Sequence, residues 1–107
     1  MPTTKPRDGS PDRDGESSFA LTLFVNGASS LSARAVTQAR QLCERHLPDS
    51  FHLSVIDVHD NPAAVMSNRV VVTPTLIRTG AWPTRRFAGD LAQTARVLVA
   101  LDLPLAE

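Results

Sequence analysis

The side chains best suited to chemistry in this sequence are one cysteine and three histidines. Cys43 is the only thiol among 107 residues, so an internal disulfide, a CxxC redox pair and a cysteine-rich zinc site are excluded. His46, His52 and His59 lack the spacing of metal-ligand motifs, and the chain contains no HExxH sequence. It also contains no glycine-rich phosphate loop. We therefore expect no metal, no cofactor and no catalytic residue.

The charge balance argues against nucleic acids and membrane surfaces as partners. Eleven basic residues face eleven acidic ones, so the net charge is zero and no overall field attracts phosphates. The sequence shows neither a signal-peptide pattern nor an apolar run of the roughly 18 residues that a membrane helix needs. A single cysteine agrees with a reducing compartment, so we expect a cytoplasmic protein.

The elements that position these side chains follow from the hydrophobic pattern. Residues 1–18 are polar, charged and rich in Pro, Gly and Ser, which predicts a disordered tail ahead of a folded domain at 19–107. The apolar run Phe19–Val25 predicts a central strand that is buried on both faces. Residues 31–47 repeat apolar side chains at helical spacing. Cys43 lies on the apolar face of that helix, so we expect it in the core.

The second half of the chain predicts a further strand, a short helix, a hairpin and a last helix. These are a strand at 51–58, a helix from Pro62 capped by Asn61, a β-prone run at 69–78 broken by Pro74, a strand at 84–88, and a helix capped by Asp90 and ended by Pro104. The resulting order, β-α-β-α-β-β-α, predicts an α/β fold with a mixed sheet and a thioredoxin-like arrangement.

The start of the first helix is where redox proteins of that fold carry a reactive cysteine. Here the corresponding residues are Gly-Ala-Ser-Ser-Leu (27–31), with Ser30 or Ser32 as the expected cap. Serine cannot perform thiol–disulfide exchange, which excludes a disulfide oxidoreductase. A thioredoxin-superfamily enzyme without the usual CxxC stays open as an alternative. We expect a cis bond before Pro74, with an ordinary trans proline at a strand edge as the other possibility.

Six segments together resemble the KaiB family of bacterial clock proteins, and the match runs from about residue 21 to 103. They are LTLFVNG (21–27), SARA (32–35), VIDV (55–58) followed by Asn61-Pro62, TPTL (73–76), RRFAGDL (85–91) and LDL (101–103). The sequence departs from the family pattern in four places. Ser29-Ser30-Leu31 takes the place of the family's Thr-Pro-Asn, Phe24 replaces a tyrosine, the proline run before the last strand is reduced to Ala81-Trp82-Pro83, and the tail at 1–18 is extra.

The resemblance implies a small non-catalytic adaptor that binds a KaiC-like ring ATPase and regulates its output, in a circadian clock or in clock-derived stress signalling. A KaiA-like protein or a histidine kinase would be a further partner, and self-association to a dimer or tetramer is compatible with the family. A stand-alone sensory domain that acts with a histidine kinase is the alternative function. The resemblance also implies an alternative fold, the KaiB ground state, in which the C-terminal half is rearranged.

Two sets of residues follow as candidate sites. The partner surface would use basic side chains, because arginine suits bidentate contact with carboxylates: Arg34, Arg69, Arg78, Arg85 and Arg86. The conformational positions are the prolines and the C-terminal segment in which the two folds would differ: Pro74, Pro83, Ala100 and Asp102.

Overall fold

The first strand, helix and second strand form a βαβ unit whose boundaries lie within one residue of the predicted ones. The computed structural model describes residues 19–47, 50–80 and 83–104, and the predicted tail at 1–18 lies outside them. Strand β1 spans Phe19–Val25, helix α1 spans Ser30–His46 and strand β2 spans Phe51–Asp57. Strands β1 and β2 are parallel, with Phe19 opposite Phe51. The helix lies on one face of the sheet because its apolar stripe must leave water.

The remaining elements are a short helix, a hairpin and a second short helix. Helix α2 spans Pro62–Ser67, strand β3 spans Thr75–Thr79, strand β4 spans Arg85–Ala88 and helix α3 spans Thr94–Ala100. Strand β3 pairs antiparallel with both β1 and β4, which gives the sheet order β2-β1-β3-β4. The mixed sheet and the predicted element order are therefore confirmed.

Two apolar layers hold the sheet between the helices. Leu21, Leu23 and Leu76 join the buried faces of α1 and α3 on one side. On the other side Phe24 and Ile77 pack with Val70 and with residues of α2. Successive side chains of a strand alternate between faces, and β1 contributes to both layers. The prediction of a central strand buried on both faces is confirmed.

The β-prone run at 69–78 enters the sheet at Thr75, directly after Pro74, as expected for a proline at the start of a strand. Two local predictions are wrong. The cap of α1 is Ser29, whose hydroxyl accepts from the Ser32 amide at 3.3 Å, rather than Ser30 or Ser32. Asp90 does not cap α3, because its Oδ1 accepts from the Ala92 amide at 2.9 Å and closes a separate turn.

Helix α3 therefore begins at Thr94, with Gln93 as a cap that makes no side-chain hydrogen bond. The helix also stops at Ala100, four residues before Pro104, and its end is defined by backbone geometry described below.

Candidate functional site

The N-terminus of α1 meets the end of β1 in a set of backbone-directed polar contacts. Ser32 is 1% exposed, and its hydroxyl accepts from the Asn26 amide at 2.9 Å. The hydroxyl of Ser29 accepts from the Ser32 amide, as the cap of the helix. Both hydroxyls thus satisfy backbone donors. They hold the turn together and are not aimed at an outside substrate.

Three polar side chains surround the turn after β1. Asn26 Oδ1 accepts from the Ala28 amide at 3.1 Å, so the amide oxygen is identified by its donor. His59 Nε2 lies 3.2 Å from the same oxygen and donates to it. Asp57 Oδ1 accepts from the His59 amide, and a Cβ at position 27 would collide with Asp57 Oδ2. Glycine at this position therefore lets the two loops approach each other.

Cys43 is a core residue, as predicted. Its side chain is fully buried in the layer between α1 and the sheet, near the C-terminal end of the helix. Burial, with a smaller contribution from Glu44, raises the pKa of the Cys43 thiol to about 11. A thiol that stays protonated and shielded from solvent is a poor nucleophile. Within residues 19–47, 50–80 and 83–104, no group of His, Cys, Asp and Glu side chains could hold a metal ion.

An exposed apolar segment leads into the third strand. The Thr73-Pro74 bond is cis, which confirms the expected isomer, and Pro74 is buried. Val71 is 88% exposed and Val72 is 52% exposed just before it. Leu31 at the start of α1 is 41% exposed at the same end of the sheet. A contiguous patch of exposed apolar side chains is typical of a surface that binds another molecule.

The two short helices end in the same backbone motif. In α2 the Val70 amide donates to Val65 O at 3.0 Å and the Arg69 amide donates to Met66 O at 3.2 Å. Arg69 has φ 54°, in the left-handed region. This pair of bonds around one left-handed residue is the Schellman motif. In α3 the Leu103 amide donates to Leu98 O at 2.9 Å and the Asp102 amide donates to Val99 O at 3.1 Å.

The left-handed residue of the second motif is Asp102, with φ 54°. Glycine usually occupies this position, because L side chains are disfavoured there. The chain thus ends two helices with residues that have a side chain, Arg69 and Asp102.

One arginine binds the carbonyl groups at each of these helix ends. Arg86 on β4 donates to Asn68 O at 2.6 Å and to Arg69 O at 3.2 Å. Arg78 on β3 donates to Asp102 O at 2.8 Å and to Leu101 O at 3.2 Å. We call these two pairs of bonds the arginine clamps. A cation at a helix C-terminus also interacts favourably with the helix dipole.

The clamps act on opposite faces of the sheet. Arg78 belongs to the face of β3 that carries α3, and its guanidinium lies 5.0 Å from the centre of the Phe19 ring. Arg86 belongs to the other face of β4, beside α2. Two of the five arginines predicted to bind a partner therefore hold the fold together through their guanidinium groups, and a third, Arg69, supplies a carbonyl to a clamp.

The other candidate residues do not converge on one place. Arg34 lies exposed on α1, and Arg85 lies exposed on β4, opposite Arg78 in the sheet register. Pro83 is exposed just before β4. Ala100 is the last residue of α3. The five arginines thus spread over both faces of the sheet, and sequence reasoning missed Val71 and Val72, whose exposure became visible only in the structure.

Comparison with known proteins identifies relatives over most of the chain. The family model of the KaiB domain matches residues 22–103. The circadian clock protein KaiB3 of Synechocystis sp. is 34% identical over 85 residues, which cover 79% of this chain and 83% of that protein. The circadian clock oscillator protein KaiB of Prochlorococcus marinus is 38% identical over 85 residues, which cover 79% and 73% of the two chains.

Two solved structures have folds similar to that of this chain. The N-terminal domain of Synechococcus elongatus SasA has a TM-score of 0.61 at 28% identity and covers 87% of this chain and 93% of its own. The germline-specific thioredoxin Deadhead of Drosophila melanogaster has a TM-score of 0.66 at 14% identity, with 83% and 86% coverage. The second likeness shows the thioredoxin-like fold alone. Among the described residues, no helix is both long and apolar enough to cross a membrane.

Proposed function

The chain belongs to the KaiB family of circadian clock proteins, and on that premise we propose that it is a non-catalytic adaptor that binds a KaiC-like ring ATPase. It would regulate the output of that ATPase in a clock or in clock-derived stress signalling. The observation that carries the proposal is the exposed pair Val71 and Val72, which lies at the end of the sheet where redox relatives of the fold carry their chemistry. This end offers an apolar contact surface instead of a thiol.

Charge supports the same surface. Arg69 lies two residues before Val71 in the chain and its side chain is exposed. Arg34 is exposed one helical turn beyond Leu31, near the start of α1. Exposed apolar residues with flanking arginines match the usual composition of protein interfaces, in which anchors are apolar and the rim is charged. The proposed surface therefore consists of Leu31, Val71 and Val72, with Arg34 and Arg69 at its border.

The test is binding of the full chain to the KaiC-like ATPase of the same genome, measured by biolayer interferometry with unfolding curves as a folding check. Val71→Glu should weaken binding at least about tenfold, because it places a charge in a desolvated contact. The matched control is Val99→Glu, which changes a similarly exposed valine on α3 and should keep the affinity. Equal affinities of the two variants would refute the surface, and no binding by the wild-type chain would refute the function.

The border arginines give a second readout. Arg34→Glu together with Arg69→Glu should lower affinity and reverse its dependence on salt, since an attraction that salt screens becomes a repulsion that salt relieves. Arg78 and Arg86 are unsuitable for this purpose, because their replacement also releases a helix end. A disulfide reductase assay and a glutathione transferase assay on the same protein should show no turnover above the uncatalysed rate.

A second candidate function has one observation in its favour, the likeness to the SasA N-terminal domain. In this alternative the chain is a stand-alone sensory domain that acts with a histidine kinase. Binding to a kinase of the same genome in the absence of the ATPase, with no binding to the ATPase itself, would favour this function over the adaptor.

A further inference from the structure

Among the residues that the structure describes, no strand lies beside the outer edge of β4, which is a row of backbone groups. Strand β4 is the last strand in the order β2-β1-β3-β4. In an antiparallel ladder, residues alternate between those whose N–H and C=O face the partner strand and those that face away. The Gly89 amide donates inward to Pro74 O at 3.1 Å. Counting back in steps of two, Phe87 and Arg85 also face β3, so Arg86 and Ala88 present their backbone groups to the open edge.

A groove runs along this edge on the α3 side of the sheet. Its volume is about 440 Å³, and it is lined by Phe87, Ala95, Arg96, Val99 and Ala100. Val99 is 79% exposed on the wall of this groove. An apolar groove beside an open strand suits a peptide that adds to the sheet, since the strand supplies hydrogen bonds and the groove supplies a place for alternate side chains.

Positively charged side chains along this edge determine which kind of added strand it can bind. Arg86 is exposed on the α2 face of β4, and Arg85 is exposed on the α3 face, where Arg96 lies on the groove wall. Within the described segments the Arg85 guanidinium has no acidic partner. The acid nearest in sequence, Asp90, directs an oxygen to the Ala92 amide. A second copy of this chain added through β4 would bring arginines against arginines, which is unfavourable.

We propose that the open edge of β4 binds an extended acidic segment of a partner protein by strand addition. Side chains of an added strand alternate between the two faces of the sheet. Its apolar residues would lie in the groove beside Phe87 and Val99. Its carboxylates would lie on the other face beside Arg86, whose charge is held in place by its bonds to the end of α2. The segment therefore alternates acidic and apolar residues. This surface is separate from Val71 and Val72, and the proposal does not depend on ATPase binding.

The probe is a blocked peptide of sequence Glu-Val-Glu-Val-Glu-Val, titrated into the isotopically labelled full chain and followed by NMR and amide hydrogen exchange. We expect the Arg86 and Ala88 amides to shift and to gain protection, and the affinity to fall as salt increases. The blocked peptide Lys-Val-Lys-Val-Lys-Val should not bind. Equal binding of the lysine peptide, or protection centred on β2 instead of β4, would overturn the proposal.

Two variants locate the binding more sharply. Ala88→Pro removes an amide that faces the open edge and leaves the ladder to β3 intact, so it should weaken peptide binding about tenfold, whereas Ala88→Val should bind as wild type. Val99→Glu should also weaken binding by repelling the acidic peptide, whereas Val71→Glu should have no effect. Wild-type affinity in both Ala88→Pro and Val99→Glu would contradict strand addition.

The peptide itself provides a test that leaves the protein unchanged. N-methylation of the peptide amides that face β4 should abolish binding to the wild-type chain, whereas methylation of the alternate amides should preserve it. This comparison decides the question if Ala88→Pro does not fold. Protection of the Arg86 and Ala88 amides in the free protein, together with concentration-dependent dimerisation, would assign the edge to a second copy of the chain and overturn the proposal.

Discussion

Replacement of Arg78 by methionine should destabilise the protein through the C-terminal helix. Methionine keeps much of the apolar stem but removes the guanidinium that donates to Leu101 O at 3.2 Å and Asp102 O at 2.8 Å. A hydrogen bond from a charged donor contributes about 1.5–3 kcal/mol, but Arg78 is only half-buried and Asp102 is exposed. Solvent therefore replaces part of what is lost. The cation–π contact with Phe19 adds about 0.5–1 kcal/mol.

These contributions sum to a loss of about 2 kcal/mol in the free energy of unfolding. For a domain of this size, that corresponds to a fall in melting temperature of roughly 10 °C. Urea unfolding followed by circular dichroism measures the first quantity and a thermal scan measures the second. Hydrogen exchange gives the location, because the Asp102 and Leu103 amides, which bond to the last turn of α3, should lose protection before the sheet does.

The matched control is Arg85→Met, which removes an exposed arginine directly opposite Arg78 in the sheet. We expect a change below about 0.5 kcal/mol for this surface substitution. Arg78→Lys should fall between the two, since an ammonium keeps the charge but lacks the planar fork that reaches two carbonyls. Equal stabilities of Arg78→Met and Arg85→Met would show that the clamp contributes nothing, and the energetic reasoning would be wrong.

Three further predictions follow from other features. The raised pKa of Cys43, about 11 against an ordinary 9.0, favours the protonated folded form. The free energy of unfolding should therefore be unaffected by this thiol below pH 9 and should fall by about 2 kcal/mol as the pH approaches 11. Urea unfolding of the wild-type chain at several pH values measures this fall, and Cys43→Ala should lack it. The chain has no tyrosine, so no phenol titrates in the same range. Arg69→Gly should raise the free energy of unfolding by about 1 kcal/mol, because glycine adopts the left-handed conformation of this position without the steric strain of a side chain. A lower free energy of unfolding in a urea titration would contradict that account. We expect the thioredoxin-like fold to predominate over the KaiB ground-state fold in the free protein. A glycine in a helix interior would shift this balance by about fivefold, and Ala100→Gly should shift it by less, because Ala100 is the last residue of α3. NMR secondary shifts across residues 94–103 measure the shift, and a strand there in the wild-type chain would refute the predominance of the thioredoxin-like fold.

The strands, the first helix and the start of the second helix were predictable because their signals are local. Phe19–Val25 is a short apolar run with a clear end, and the observed strand has the same bounds. Asn61 caps α2 through a bond to the Ala64 amide and Pro62 occupies its first position. The cap of α2 is decided by contacts within a few residues of each other in the chain. The strand is marked by its own apolar run, although its ladder partners lie at 51–57 and 75–79.

The roles of the arginines were not predictable in the same way. Arg78 meets its carbonyl partners 23 and 24 residues away, and Arg86 meets its partners 17 and 18 residues away. Only the folded sheet brings these groups together. From residue type alone, an arginine on a strand is expected to be exposed to solvent. The end of α3 was not predictable for the same reason. The sequence predicted that Pro104 would end the helix, whereas the helix ends at Ala100 and is followed by the left-handed residue Asp102.

The opposed directions of the arginine clamps have a consequence for how the chain avoids mispairing. Strand β4 has four residues, so its ladder supplies few hydrogen bonds to fix its alignment with β3. A slide of one position would turn Arg86 toward α3 and Arg85 toward α2, so the carbonyls at the end of α2 would lose their guanidinium and Phe87 would leave the core. The end of α3 binds an arginine of β3, and the end of α2 binds an arginine of β4. A misaligned hairpin would therefore lose contacts in both apolar layers, although the hydrogen bonds between β3 and β4 differ little between the correct and the shifted alignment.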